Sequence, residues 1–348
     1  MVPHLFCATH DALFSTLPFT HRWRLLLLQP INILAILLTS PFWLFNNRSS
    51  VLYVPTRSGK KRCLVYQPPR RHTTGKGETE DLRPLHIDIH GGGFIGGFPE
   101  QGARWCSLLS DRTGAVVVSC SYRFAPRYTF PAAHDDIDDV VSWILSHAAE
   151  LNADPNLLTV GGSSVGGNLA LSAAQYLAGQ SQAHPSQTAQ SYIARAFVGF
   201  CPPVNFRLKP QEKPIPPNFP AKDPLSFLVP LFDAYAGSNR TRDWDNPRLN
   251  TFVADKGTLP KDMLFVVAGI DILMHEQLAF LERIKEEMGV EGETDRRVEA
   301  RVWDKGFHGW MELPKMILEK ERMEAFEISL KSIRRVHWRY GFDLDKVV

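Results

Sequence analysis

The chain has little cysteine and no surplus of charge of either sign. Five cysteines, Cys7, Cys63, Cys106, Cys120 and Cys201, are spread over 348 residues. An odd number at wide spacing makes no disulfide framework, and no His/Asp/Cys grouping has metal-ligand spacing, so no metal is expected. Cys120 and Cys201 sit in apolar runs and read as small buried hydrophobes, which favours a reducing compartment. Lysine and arginine total 39 against 37 acidic residues, a formal net charge of +2. Phosphate binding needs clustered, uncompensated cations, so nucleic acid is excluded as a main partner. The basic run Arg57, Lys60, Lys61, Arg62 reads as a solvated turn before a strand. No internal repeat or low-complexity tract stands out.

Charge is missing altogether from Leu25 to Phe45, "LLLLQPINILAILLTSPFWLF". The stretch has the length of a membrane span, roughly 20 residues. Phe42, Trp43 and Phe45 at one end and Arg22 and Arg24 at the other suit interfacial anchoring. Gln29, Pro30 and Asn32 dilute it, however, and no small-residue cleavage site follows, so it is no signal peptide. Two expectations result for the segment 1–55: a membrane anchor, or an apolar cap packed on the following domain. They place the protein at a membrane or in the cytoplasm.

From 56 to 348 the pattern is one domain of alternating strands and helices. Strands are expected at Arg62–Tyr66, Leu85–His90, Ala115–Ser121, Leu157–Val160, Ala196–Cys201, Met263–Gly269 and Val298–Trp303. Several of these are continuous apolar runs, as strands covered on both faces require. Helical periodicity fills Asp135–Glu150, Asn168–Leu177 and His275–Met288. The alternation predicts an α/β fold with a mostly parallel, doubly wound sheet. Proline is dense from Pro202 to Pro230, which reads as a surface excursion near 202–230. Pro68 to Arg83 is a polar loop.

Between the strand at Leu157 and the helix at Asn168 lies "VGGSSVGGN", Val160 to Asn168. A phosphate-binding P-loop needs a lysine that is absent, and the glycine spacing does not fit a dinucleotide fingerprint, so no cofactor is expected. Gly162-Ser163-Ser164-Val165-Gly166 does fit the G-x-S-x-G turn, which presents a strained serine between small residues. The frame selects Ser164. Upstream, "HGGGF" from His90 to Phe94 ends a strand in glycines, whose backbone N–H groups can approach a developing oxyanion. Gly92, Gly93 and the N–H of Val165 are the candidate donors. His90 and Gly91 support that loop, His90 by ordering it.

The motifs "HGGGF", "YRFAPRYTFPAAHDD", "GGSSVGGNLA" and "GIDILMHE" together resemble the hormone-sensitive lipase-like branch of the α/β-hydrolases, most of all its fungal members. The resemblance implies an N-terminal cap and a Ser, Asp, His triad in chain order. Ser164 matches the nucleophile, Asp271 the acid after the seventh strand and His308, in "KGFHGW", the base. A neutral imidazole takes the serine proton and the carboxylate steadies the imidazolium. Asp304 is the weaker acid candidate, and Glu276 reads as a structural cap partner.

The chain departs from the family at Ser163, where an acid is usual, and at Val165, where alanine is usual and a branched side chain narrows the acyl pocket. Arg127 replaces a frequent Glu. Asp135 and Asp136 match an acidic position expected to form structural salt bridges. The expected function is hydrolysis of small or medium-chain carboxylic esters through an acyl-serine. A tailoring hydrolase, lactonase or cyclase remains open, as does a ligand-binding protein on the same scaffold.

Overall fold

The computed structural model describes residues 2–44, 47–69, 82–183, 192–221 and 226–344. Most of the loop expected at Pro68–Arg83, Phe45, and residues 222–225 of the excursion lie outside them, as do the side chains of Cys7, Phe42 and Trp43. Two helices come first, α1 (Val2–Phe14) and α2 (Phe19–Trp43), then strands β1 (Ser49–Val54), β2 (Lys61–Tyr66) and β3 (Arg83–Ile89). Helix α3 (Ala103–Thr113), β4 (Val116–Cys120), α4 (Ala132–Ser146), β5 (Ala153–Ser163), α5 (Val165–Ala183) and β6 (Ala196–Phe200) follow. After the excursion and a single turn α6 (Val229–Phe232) come β7 (Asp262–Ile270), α7 (Met274–Glu291), β8 (Arg297–Phe307) and α8 (Glu319–Arg339).

The strands form one 8-stranded sheet in the order β1-β2-β4-β3-β5-β6-β7-β8. β1 pairs with β2, and β2 with β4, in antiparallel fashion; all other pairs are parallel. Every residue of β4 and β6 is buried, because helices cover both faces. Alternation along β4 sends Val116 and Val118 to one face and Val117 to the other. The first face packs against Ile137 of α4, Leu169 of α5 and Phe280 of α7. The second packs against Trp105 of α3 and Phe326 and Ile333 of α8. Each such fully buried side chain contributes about 1.5–3 kcal/mol from burial alone.

Of the two expectations for the N-terminal segment, the structure shows the cap. Among the described residues no helix is long and apolar enough to span a bilayer. Residues 25–43 are the larger part of α2, which pairs with α1 as a helical cap on the α/β body. Leu25 and Leu28 turn inward and are buried. Arg24 donates to the carbonyl of Phe227 at 2.6 Å, and Arg127 pairs with Asp11 of α1 at 3.0 Å. Arg127, the departure from the family's frequent Glu, thus faces a cap carboxylate.

The basic run is not a free patch. Arg57 pairs with Asp139 at 2.6 Å, Lys61 with Asp136 at 3.1 Å and Arg62 with Glu100 at 2.6 Å. Asp135 and Asp136 hold the structural role expected of them. Buried Asp136 accepts from Arg123 at 2.9 Å, and Asp135 pairs with Arg248 at 3.0 Å. Cys63, Cys106, Cys120 and Cys201 are buried, free thiols.

Candidate active site

β5 runs without a break into Ser163, and α5 begins at Val165. Ser164 alone makes the turn between them, at φ +51°, in the left-handed region that non-glycine residues rarely enter. Its N–H donates to the carbonyl of Phe200 at 2.7 Å, tying the turn to β6. The flanking glycines are small because the end of β3 lies against them. A Cβ on Gly166 would stand 1.9 Å from the Ile89 carbonyl oxygen, and one on Gly162 2.5 Å from the same atom. Ser164 is 8% exposed, so its hydroxyl sits in a recess of the surface.

The Ser164 hydroxyl donates to His308 Nε2 at 2.8 Å, and His308 Nδ1 donates to Asp271 Oδ2 at 2.7 Å. β8 extends to Phe307 and so delivers His308 directly; β7 ends at Ile270 and delivers Asp271. Asp271 is buried, with Oδ1 accepting from the Leu273 N–H at 3.0 Å. Burial opposes a charged His308, but the charge and hydrogen bond of Asp271, with help from Glu312, outweigh it and raise the pKa above the ordinary histidine value. The His308 side chain is 42% exposed, which leaves one flank open to solvent and to an incoming molecule. Asp304 lies exposed in β8 within a register irregularity, and no described contact joins it to His308.

Gly91, Gly92 and Gly93 follow β3 and pass beside the nucleophile turn. A Cβ on Gly91 would stand 3.4 Å from Ser164 Cβ. His90 is buried, and its Nδ1 donates to the Gly91 carbonyl at 2.7 Å while its ring stacks on Tyr122 at 4.6 Å. The Tyr122 hydroxyl donates to the carbonyls of His90 and Gly91, both at 3.1 Å. Tyr122 escapes a motif-by-motif reading, although it opens the "YRFAPRYTF" stretch directly after β4. Val165 packs into the main core at 5% exposure, so its branched side chain fills the interior beside the glycine loop.

Glu276 does not cap its helix. It accepts from the N–H groups of Val204 and Asn205 at 2.9 and 3.2 Å and forms an ion pair with Lys213. The proline-dense excursion is thereby fastened to the start of α7, close in sequence to Asp271. A cavity of about 400 Å³ lies between the cap and the glycine loop, lined by Leu25, Asn32, Ile95, Gly96, Tyr122 and Phe124 among others. No group of three or more potential metal ligands occurs among the described residues.

A parallel sheet, a strained serine on a strand-to-helix turn and a Ser-His-Asp hydrogen-bond chain define a class, and comparison with known proteins agrees. The sequence model of the α/β-hydrolase fold family matches residues 86–312, and the chain belongs to that family. It is 38% identical over 132 residues to an ethyl acetate hydrolase of Pseudomonas putida, covering 38% of this chain and 40% of that protein. It is 29% identical over 244 residues to a 2-hydroxyisoflavanone dehydratase of Glycyrrhiza echinata, covering 64% of this chain and 68% of that one. The chain thus spans about two fifths of the first relative and two thirds of the second. A hyperthermophilic esterase of the archaeon Pyrobaculum calidifontis has the same fold, with a TM-score of 0.70 at 23% identity over 95% of this chain and 96% of that one. Similar proteins come from bacteria, plants, archaea and fungi, so they define the family and not a fungal branch of it.

Proposed function

We propose that this protein hydrolyses carboxylic esters through an acyl-serine formed on Ser164. The observation that carries the reading is the unbroken hydrogen-bond chain from the Ser164 hydroxyl through His308 to buried Asp271. His308 Nε2 takes the Ser164 proton as Oγ attacks the carbonyl carbon, and later returns it to the leaving alcohol. Asp271 holds Nδ1–H and balances the imidazolium. The N–H groups of Gly92, Gly93 and Val165 receive the oxyanion, on a loop that His90, Gly91 and Tyr122 brace. Residues 1–55 act as the cap and 56–348 as the catalytic body.

The ester class is supported by the family and by the ethyl acetate hydrolase among its relatives. The test is turnover of p-nitrophenyl esters graded by acyl length, for the wild type beside Ser164→Ala, with preference expected for short and medium chains. A second reading is favoured by the similarity to the plant dehydratase. In it the same site removes water from a hydroxylated substrate, with His308 moving the proton. An elimination assay on a β-hydroxyketone, run beside the ester panel, separates the two.

A further inference from the structure

Ser163 has no part in the triad, yet it stands where the family usually carries an acid. The structure supplies a carboxylate at that place from a different part of the chain. After His308 the backbone turns at Gly309 into the short turn Trp310–Glu312, pinned by buried Trp310 and Met311. The turn sends the Glu312 side chain back toward the end of β5, beside Ser163. Its location is fixed independently by the glycine loop. A Cβ on Gly91 would stand 3.6 Å from Glu312 Oε1, 3.4 Å from Ser164 Cβ and 3.1 Å from the Ser163 carbonyl oxygen. Glu312, the oxyanion loop and the nucleophile turn therefore meet at one spot.

We propose that Glu312 is a positioning residue of the triad, whose carboxylate holds the nucleophile turn through Ser163 and stabilises the His308 imidazolium. The inference rests on the hydrolase reading above. Asp271 neutralises His308 from the Nδ1 side; Glu312 adds a second negative charge within electrostatic reach of the ring. As the Ser164 proton moves to Nε2, the new positive charge is stabilised by both carboxylates. Where the family usually carries an acid beside the nucleophile this chain has a hydroxyl, and the carboxylate comes instead from the loop after the base.

Burial raises the Glu312 pKa, while Ser163 and His308 pull it back toward the ionised form. The other titratable groups that feel Glu312 are Asp88, Tyr122 and Cys201. Burial pushes Asp88 up to about 7 and drives Tyr122 and Cys201 well above their ordinary values. Tyr122 and Cys201 are therefore neutral near pH 7, which leaves Asp88 and His308 as the groups that titrate there, and the imidazole C2–H signal reads His308 alone.

The test is the titration of His308, read by NMR from its imidazole C2–H signal and by the acid limb of kcat/KM on a short-chain ester. In Glu312→Gln both readings move to lower pH, and kcat falls by roughly tenfold with little change in KM. The exchange variant Ser163→Asp/Glu312→Ser recovers most of the lost kcat, while Ser163→Asp alone crowds two carboxylates and falls lower still. An unmoved titration in Glu312→Gln, or an exchange variant no better than Ser163→Asp, overturns the inference. The NMR reading needs no turnover. If it moves while the wild type cleaves no ester, the hydrolase reading has failed, and the electrostatic contact of Glu312 with His308 stands by itself.

Discussion

Ser164 Oγ and His308 Nε2 lie 2.8 Å apart although 144 residues separate them in the chain. The contact exists because β5 and β8 end at the same edge of the sheet, each releasing one functional side chain as its backbone leaves the ladder. Asp271 joins them from β7 by the same device. In open α/β sheets that carboxyl edge is where reactive groups collect.

The pH dependence of the reaction follows from the second half of that chain. Attack by Ser164 needs a neutral His308, and the Asp271 carboxylate holds the ring's pKa above the ordinary histidine value. Activity therefore rises with pH through a midpoint above about 6.5. Asp271→Asn removes the charge, so the midpoint falls while kcat drops by a factor on the order of 10⁴. A pH–kcat/KM profile of both proteins checks the sign and the size.

Gly166→Ala tests the turn without touching a reacting atom. The new Cβ would meet the Ile89 carbonyl oxygen at 1.9 Å, so β3 or the start of α5 must move. Loss of at least a hundredfold in kcat/KM is expected, with the order of 1–3 kcal/mol off the unfolding free energy. Denaturant melts separate this from global unfolding. Gly179→Ala, with nothing within 4 Å of its added Cβ, is the control.

Acid lability has a separate origin. His86, His134 and His337 are buried, and burial pushes each pKa down to about 3. His86 Nδ1 lies 2.8 Å from the Thr159 hydroxyl, and His134 Nε2 donates to the Arg248 carbonyl at 2.9 Å while Tyr235 donates to its Nδ1 at 2.7 Å. The unfolded chain binds these protons from about pH 6.5 downward and the folded chain does not, so stability falls as pH drops from about 6.5 toward 3. His134→Gln should flatten part of that slope. Thermal midpoints measured across this range decide it.

A buried ion pair helps to hold the excursion. Lys213 and Glu276 side chains are 5% and 10% exposed. Glu276→Ala leaves Lys213 buried without its partner and should cost about 3–5 kcal/mol, whereas Lys213→Met with Glu276→Leu costs much less. Urea titrations of the two variants measure the contrast.

Much of this was legible in the sequence, because periodicity and glycine placement are local signals. The apolar runs at Val116–Cys120 and Ala196–Phe200 could only be doubly covered strands, and the structure buries every residue in them. The order of Ser164, Asp271 and His308 was readable from motifs that each stand at a strand end. What the sequence left open was long-range. Leu25–Phe45 looks like a span because its apolar face is wide, and nothing local announces that Arg24 will find Phe227 or that Asp11 will find Arg127. β1 and α8 were invisible for related reasons. β1 is an edge strand with half its residues exposed, and α8 is mainly polar, with its apolar stripe spread thin. Glu312 carries no motif, and Tyr122 stands in one without announcing its role. Their meaning comes from what the fold sets beside them.

Which of the two adjacent serines reacts is the central question. Purified wild type, Ser163→Ala, Ser164→Ala and His308→Ala should be treated with a fluorophosphonate probe and the labelled peptide mapped by mass spectrometry. Labelling at Ser164 is predicted in the wild type and, more slowly, in Ser163→Ala, with none in Ser164→Ala and little in His308→Ala. A wild type that takes no label, or a label lost only in Ser163→Ala, contradicts the account.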